Sequence, residues 1–131
     1  MKPTRTLQAL AIAAILFGGL TVFSGGRALF GSDVERAAVG NAVGFVLWFN
    51  FLAGFAYMLA GAALWRGLRW GVWLAGLLAL GTALVAAAFG VHVMGGGAYE
   101  TRTVGALGIR LLFWVIVFLV ARRALRTWRM R

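Results

Sequence analysis

Four long apolar segments dominate this sequence. They cover residues 7–23, 41–65, 70–93 and 104–121. A helix needs about 20 residues to cross the hydrocarbon core of a bilayer, which is about 30 Å thick. The segments are continuously apolar instead of alternating, and a closed barrel needs more strands than this chain can supply. We therefore predict an all-α integral membrane protein, with residues 1–131 forming one four-helix transmembrane bundle of up-down-up-down order.

The charge content narrows the class of partner. Hydrophobic residues make up 63% of the chain and charged residues 12%, whereas soluble domains carry about 25% charged residues. The net charge of +10 is of the kind seen in nucleic-acid-binding proteins, but these cations flank apolar segments instead of decorating a soluble domain. We expect the lipid bilayer as a partner and no nucleic acid. With no cysteine, one histidine and three acids, we expect neither a metal site nor a cofactor, and we lean away from an enzyme.

The distribution of cations predicts the orientation. One side of the predicted bundle holds nine cations and no acid: Lys2, Arg5, Arg66, Arg69, Arg122, Arg123, Arg126, Arg129 and Arg131. The other side holds three cations and three acids: Arg27, Arg36, Arg102, Asp33, Glu35 and Glu100. Cytoplasmic loops carry the excess of Lys and Arg. We therefore expect a protein of the bacterial inner membrane with both termini in the cytoplasm.

The first segment also has features of a cleavable signal peptide. Lys2 and Arg5 form a basic start, and small residues follow the segment at 24–26. Its length of about 17 residues exceeds the usual apolar region of a signal peptide. We expect it to stay as a membrane anchor.

The C-terminal tail, residues 122–131, is strongly basic. Arg122, Arg123, Arg126 and Arg129 are suited to contact anionic lipid headgroups, with the tail lying along the inner leaflet as a short helix. A tail that docks on another protein is the alternative.

The segment between the first two spans contains an N-capping motif. Ser32 and Glu35 stand in the S-x-x-E spacing of a capping box, with Asp33 between them. We expect a helix to start near Asp33 and either to extend the second span or to bend near Gly40 or Gly44.

Small and polar residues share one face of the second span. They follow helical spacing at Asn50, Gly54, Tyr57 and Gly61, and a small-x-x-x-small pair precedes them at Gly40 and Gly44. Such faces allow membrane helices to approach closely. The alternative is a polar cavity in which Asn50 and Tyr57 meet a substrate or a quinone-like ligand.

Arg110 is the one charge inside a predicted span. An arginine there costs at least about 2.5–3.5 kcal/mol, so it should face a partner, a cavity or the interface. Glu100 is the nearest acid in sequence and Asn50 is predicted at similar depth, whereas snorkelling to lipid phosphates is the alternative. Other candidates on this side are His92, Tyr99 and Arg102. His92 is either structural or a proton relay or metal ligand, but no second strong ligand accompanies it.

The layout of the spans resembles a known group. The chain places four spans in about 130 residues, with a Gly-rich second span and a short basic turn into the third, in the stretch GFAYMLAGAALWRGLRWGVW (residues 54–73). This layout is similar to that of DoxX-like small membrane proteins. Asn50 stands where an acid is expected at the start of that family's second span.

Three functions remain open from the sequence. The leading hypothesis is a non-catalytic accessory or assembly subunit that packs on a larger membrane complex or on itself as a homo-oligomer, because small-residue faces dominate and ionisable groups are few. The alternative is an oligomeric transporter or channel for an anion or neutral solute. The third is a quinone- or haem-associated membrane subunit.

Overall fold

The computed structural model describes residues 3–40 and 43–129, and the side chains of all of these except 128 and 129. This part of the chain forms five helices: α1 (Arg5–Phe30), α2 (Asp33–Ala37), α3 (Gly44–Trp65), α4 (Arg69–Met94) and α5 (Thr101–Arg129). The four long helices are all long and apolar enough to cross a membrane. The prediction of an all-helical, multi-pass membrane protein is confirmed at this level. The predicted start of the second span at Asn41 and the side chain of Arg129 lie outside the described residues.

The first helix, α1, is longer than predicted. α1 continues through Ser24, Gly25 and Gly26 to Phe30, because these small residues let α1 stay close to α3 there. A Cβ added at Gly25 would lie 3.1 Å from the Cβ of Phe51. The helix therefore continues past residue 23, where the predicted span ended.

The basic tail continues α5 instead of forming a helix of its own. Ala121 and Leu125 are buried in the core, whereas Arg122, Arg123 and Arg126 are exposed. The apolar residues are spaced four apart and so extend the core-facing side of α5 by another turn. Together with Leu119 and Thr127, the three exposed arginines line a shallow cleft.

The four long helices pack in the order α1–α3–α4–α5, with α5 returning to α1. The closest approach is between α1 and α3. A Cβ at Gly18 would lie 2.6 Å from the carbonyl oxygen of Gly54, and a Cβ at Gly61 would lie 2.7 Å from that of Ala11. The pairing of residue 18 with 54 and of 11 with 61 shows that the two helices run antiparallel. Glycine is required at this contact because the backbones touch.

A tight turn joins α3 to α4. Gly67 has a φ of 73°, a left-handed conformation that favours glycine. The amide of Leu68 donates to the carbonyl of Ala63 at 2.9 Å, and this bond closes the end of α3. The short turn forces α3 and α4 to be adjacent and antiparallel, as predicted.

The short helix α2 bends away from α3. Ser32 caps it by accepting a hydrogen bond from the amide of Glu35. It ends at Ala37, and Gly40 has a φ of 65°, which breaks the helical path before α3 begins at Gly44. The expected helix near Asp33 therefore exists, and of the two expected geometries the structure has the bend near Gly40.

The two ends of the bundle differ in charge. We call the end that carries the α1–α3 connection and the α4–α5 loop the acidic end, because all three acids of the chain lie there. We call the opposite end, which carries the α3–α4 turn and the C-terminal half of α5, the basic end. Between them the outward-facing surface carries exposed large apolar side chains, including Leu16, Leu20, Leu77, Leu84 and Leu112. That surface fits a lipid environment.

Candidate functional site: a polar groove at the acidic end

A groove of about 610 Å³ lies at the acidic end, between α1, α3 and α5 and beneath α2. We call it the polar groove. Its polar lining consists of Thr21, Ser24, Arg27, Glu35, Asn50, Arg102, Thr103 and Arg110. No residue of α4 lines it. A volume of about 300–1,000 Å³ is usual for a small-molecule site, so the polar groove is large enough to hold a ligand.

Arg110 forms the innermost charged part of the groove. It lies nine residues into α5, which is about 14 Å from the start of the helix at about 1.5 Å per residue. Its Nη1 donates to Thr21 Oγ1 at 2.9 Å and to Tyr57 Oη at 3.5 Å. Its guanidinium carbon lies 4.8 Å from the ring centroid of Phe17, a cation–π contact. The guanidinium thus faces the bundle interior instead of snorkelling outward.

One edge of this guanidinium has no protein acceptor. Both recorded hydrogen bonds use Nη1, and Nε is buried without a partner among the described residues. The Nε–Nη2 edge of an arginine presents two parallel N–H donors that match the two oxygens of a carboxylate or phosphate. Arg110, which lines the groove, therefore keeps an enclosed Nε–H without an acceptor among the described residues.

The structure does not form the expected pair between Arg110 and Glu100. In the described part of the chain Arg110 contacts no carboxylate. Glu100 does not line the groove, and its carboxylate lies against Gly40. The physical reason is distance along the helix: Glu100 precedes α5, whereas Arg110 lies nine residues, or about 14 Å, into it.

Asn50 and Tyr57 lie on the α3 side of the site. Asn50 lines the groove, and its Oδ1 is buried without a hydrogen-bond partner in the described residues. Tyr57 is fully buried below it, with its ring 4.9 Å from that of Trp114 between centroids. Trp114 Nε1 is likewise buried without a partner. Unsatisfied buried polar atoms cost about 1–3 kcal/mol each. Two of these three atoms, on Asn50 and Arg110, belong to residues that line the groove, which indicates a site that a ligand or water completes.

Arg27 and Glu35 form an ion pair at the rim of the groove. The hydrogen bond from the Arg27 guanidinium, followed by smaller contributions that include Ser32, holds the pKa of the Glu35 carboxyl below its ordinary value. Arg102 instead donates to the carbonyl oxygens of Ala38 and Val39 at 3.0 and 3.1 Å, and so ties α5 to the end of α2. Arg27 is paired with Glu35, whereas Arg110 has only neutral hydrogen-bond partners among the described residues.

His92 and Tyr99 lie outside the groove. The Nε2 of His92 is 2.8 Å from the carbonyl oxygen of Ala98, and its ring packs against Gly97. Tyr99 packs edge-on against Phe89, with 5.9 Å between ring centroids. Both side chains therefore hold the α4–α5 loop, and the structure does not bring them to Arg110. No group of three or more potential metal ligands occurs among the residues that were described.

The small-residue face of α3 divides into two parts. Gly54 and Gly61 meet α1 within the bundle. Gly40 precedes the helix, and a Cβ at Gly44 would meet nothing within 4 Å. Gly40 and Gly44 thus make no helix–helix contact in this structure, because the helix starts only at Gly44.

Sequence reasoning missed the groove residues of α1. Thr21 is the direct acceptor for Arg110, and Ser24 and Arg27 follow it at intervals of three along the same helix. The signal in the sequence is that spacing of polar residues within an otherwise apolar segment, which places them on neighbouring turns of one face.

No protein-family model matches the sequence, and neither a curated protein nor a solved structure matches the chain. The similarity to DoxX-like proteins therefore rests on the layout of the spans alone.

Proposed function

We propose that this protein is a small, non-catalytic multi-pass membrane protein whose polar groove binds an anionic ligand. The observation that carries the proposal is Arg110, a guanidinium deep in a membrane helix that contacts only neutral groups and keeps its Nε without an acceptor. A cation at this depth costs several kcal/mol unless it is compensated. An anion in the groove supplies the missing charge and accepts the unused hydrogen bonds.

We further propose that the groove opens on the external side of a bacterial inner membrane, with both termini in the cytoplasm. This placement puts Arg66, Arg69 and the arginines of the C-terminal half of α5 on the cytoplasmic side. At the acidic end the three acids balance three of the cations. The positive-inside rule supports this orientation.

The proposal develops the transporter alternative of the sequence analysis, since anion binding is the first step that a transporter needs. A role as an accessory subunit, assembly into homo-oligomers or a larger complex, and association with quinone or haem stay predictions.

Because the chain has no cysteine, single-cysteine variants test the groove and the orientation together. We choose Ser24→Cys inside the groove and Thr101→Cys as a control, since Thr101 is exposed at the same end but does not line the groove. Each variant is treated, in intact cells or sealed vesicles of known sidedness, with an impermeant sulfonate thiol reagent and with a trimethylammonium reagent of similar size.

We expect the anionic reagent to modify Ser24→Cys faster than the cationic reagent does, by several-fold relative to the ratio at Thr101→Cys, and only from the external side. Adding Arg110→Gln should remove most of this preference. Equal ratios at both positions would contradict anion binding in the groove, and modification only from the cytoplasmic side would contradict the orientation.

A further inference from the structure

We infer that the anionic ligand of the polar groove is an amphiphile, a carboxylate or phosphate headgroup on an acyl chain, which enters sideways from the outer leaflet between α1 and α5. This inference rests on the proposed function and specifies the chemical class of the ligand.

The groove has apolar walls beside its cationic groups. Phe23 of α1, Val43, Val46 and Leu47 of α3 or its start, and Ala106 of α5 all line it. Water and a small inorganic anion gain nothing from these side chains. An acyl chain does, because each methylene buried against them strengthens binding about fourfold.

The groove is also placed for entry from lipid. α3 closes one side and α2 covers the end, whereas α4 contributes no residue to the lining. The Thr21–Arg110 hydrogen bond and the Phe17–Phe113 ring contact, with 5.4 Å between centroids, join α1 to α5 at the level of Arg110 and below it. Towards the acidic end the two helices line opposite sides of the groove, so the opening faces outward between them.

The α1 side of this opening is apolar and exposed. Phe23 lines the groove from α1 and is 62% exposed. This side chain faces the region that hydrocarbon occupies in a membrane. A chain that leaves the groove past Phe23 passes directly into lipid, while its headgroup stays at Arg110.

The depth of Arg110 favours the same class of ligand. Arg110 lies about 14 Å along α5 from the start of the helix, at the inner end of the groove. A small anion that reaches it exchanges its hydration for polar contacts alone, whereas an amphiphile already resides in the membrane and also gains from burial of its chain.

The experiment uses the full chain reconstituted in phosphatidylcholine vesicles, which contain no anionic lipid. Spin-labelled stearate, at a pH at which its carboxylate is ionised, is compared with its neutral methyl ester, and the motionally restricted fraction is measured by electron paramagnetic resonance. Unlabelled stearate and sodium phosphate serve as competitors. Arg110→Gln is the test variant and Arg36→Gln the matched control, because Arg36 is an exposed arginine at the same end that does not line the groove.

We expect saturable motional restriction of stearate but not of its ester. The affinity for stearate should be at least about tenfold lower in Arg110→Gln, because this variant loses a charge-assisted hydrogen bond to the carboxylate. The affinity should be unchanged in Arg36→Gln. Equal binding of acid and ester would overturn both this inference and the proposed function. Absence of stearate binding together with Arg110-dependent phosphate binding, measured by labelled phosphate, would overturn this inference alone.

A second variant keeps the test decisive if Arg110→Gln does not fold. Ala106→Phe leaves every groove arginine in place and fills the space beside them. We expect it to weaken stearate binding at least tenfold while phosphate access to Arg110 persists. Wild-type stearate affinity in a folded Ala106→Phe protein would show that the chain does not lie in the groove and would overturn the inference.

Discussion

α1 meets its two neighbours in opposite ways. Against α3 it packs backbone to backbone, with Gly18 and Gly61 at the contact. Against α5 it makes a polar contact at Thr21 and then separates to leave the polar groove. The first contact leaves no space and the second leaves unsatisfied donors and acceptors. We therefore expect the stability of this small bundle to depend mostly on the α1–α3 contact, and ligand binding to occur where α1 and α5 separate.

The largest expected effect on stability comes from adding one methyl group at the close contact between α1 and α3. Gly18→Ala places a Cβ 2.6 Å from the carbonyl oxygen of Gly54, so the helices must move apart, at a cost of about 1–3 kcal/mol. We expect a matching loss of unfolding free energy, measured by reversible denaturation in one fixed detergent with circular dichroism as the readout.

Gly19→Ala is the matched control for this change. A Cβ at Gly19 meets nothing within 4 Å, so the variant should equal or slightly exceed the wild-type stability. Equal destabilisation by both substitutions would show that the contact with α3 does not decide the result, because helix propensity favours alanine over glycine at both positions.

A smaller effect is expected at the cover of the groove. Arg102→Gln removes the donor to the carbonyl oxygens of Ala38 and Val39, a loss of about 0.5–1.5 kcal/mol. Amide hydrogen exchange in α2 should therefore become about two- to tenfold faster, while exchange in α4 stays the same. Arg36→Gln removes an exposed arginine from α2 itself and should leave these rates unchanged; faster exchange there would point to a general charge effect.

Loss of Arg110, the charged residue between α1 and α5, should have little effect on the unfolding free energy. Arg110→Leu gives up the hydrogen bond to Thr21 but also removes a cation whose burial in a membrane costs about 2.5–3.5 kcal/mol. We expect the unfolding free energy to stay within about 1 kcal/mol of wild type in the same denaturation assay. A loss as large as that in Gly18→Ala would mean that Arg110 holds the bundle together instead of serving a ligand.

The smallest effect concerns the rim ion pair. The pKa of Glu35 is lowered in the folded protein by its hydrogen bond to Arg27. The stabilisation is therefore fully present above the ordinary pKa of 4.5 and is lost as the pH falls through the lower, folded value. Hydrogen exchange in α2 should accelerate over that acidic range.

Two carboxyl variants identify the group responsible for this pH dependence. Glu35→Gln should remove it, whereas Asp33→Asn, which alters an exposed acid of the same helix, should keep it. Retention of the acidic acceleration in Glu35→Gln would assign it to another group.

The helices could be predicted from the sequence more completely than the contacts between them. Continuous apolar segments identified the four long helices, and the S-x-x-E spacing identified α2, because both signals are local. The bend at Gly40 was one of two expected outcomes. The partner of Arg110 was not predicted: Thr21 lies 89 residues away in the chain, and only the packing of α1 beside α5 brings the two together. Glu100, the nearer acid in sequence, lies instead beside Gly40.

The central claim is that the Arg110 guanidinium holds an anion in the polar groove. The most direct measurement is the ¹⁵N–¹H resonance of the Arg110 Nε in arginine-labelled protein, assigned by its absence in Arg110→Gln and followed while octanoate is added. We predict a saturable shift of this resonance, with the resonance of Arg66 at the basic end unchanged. No shift, or the same shift at both arginines, would contradict the account.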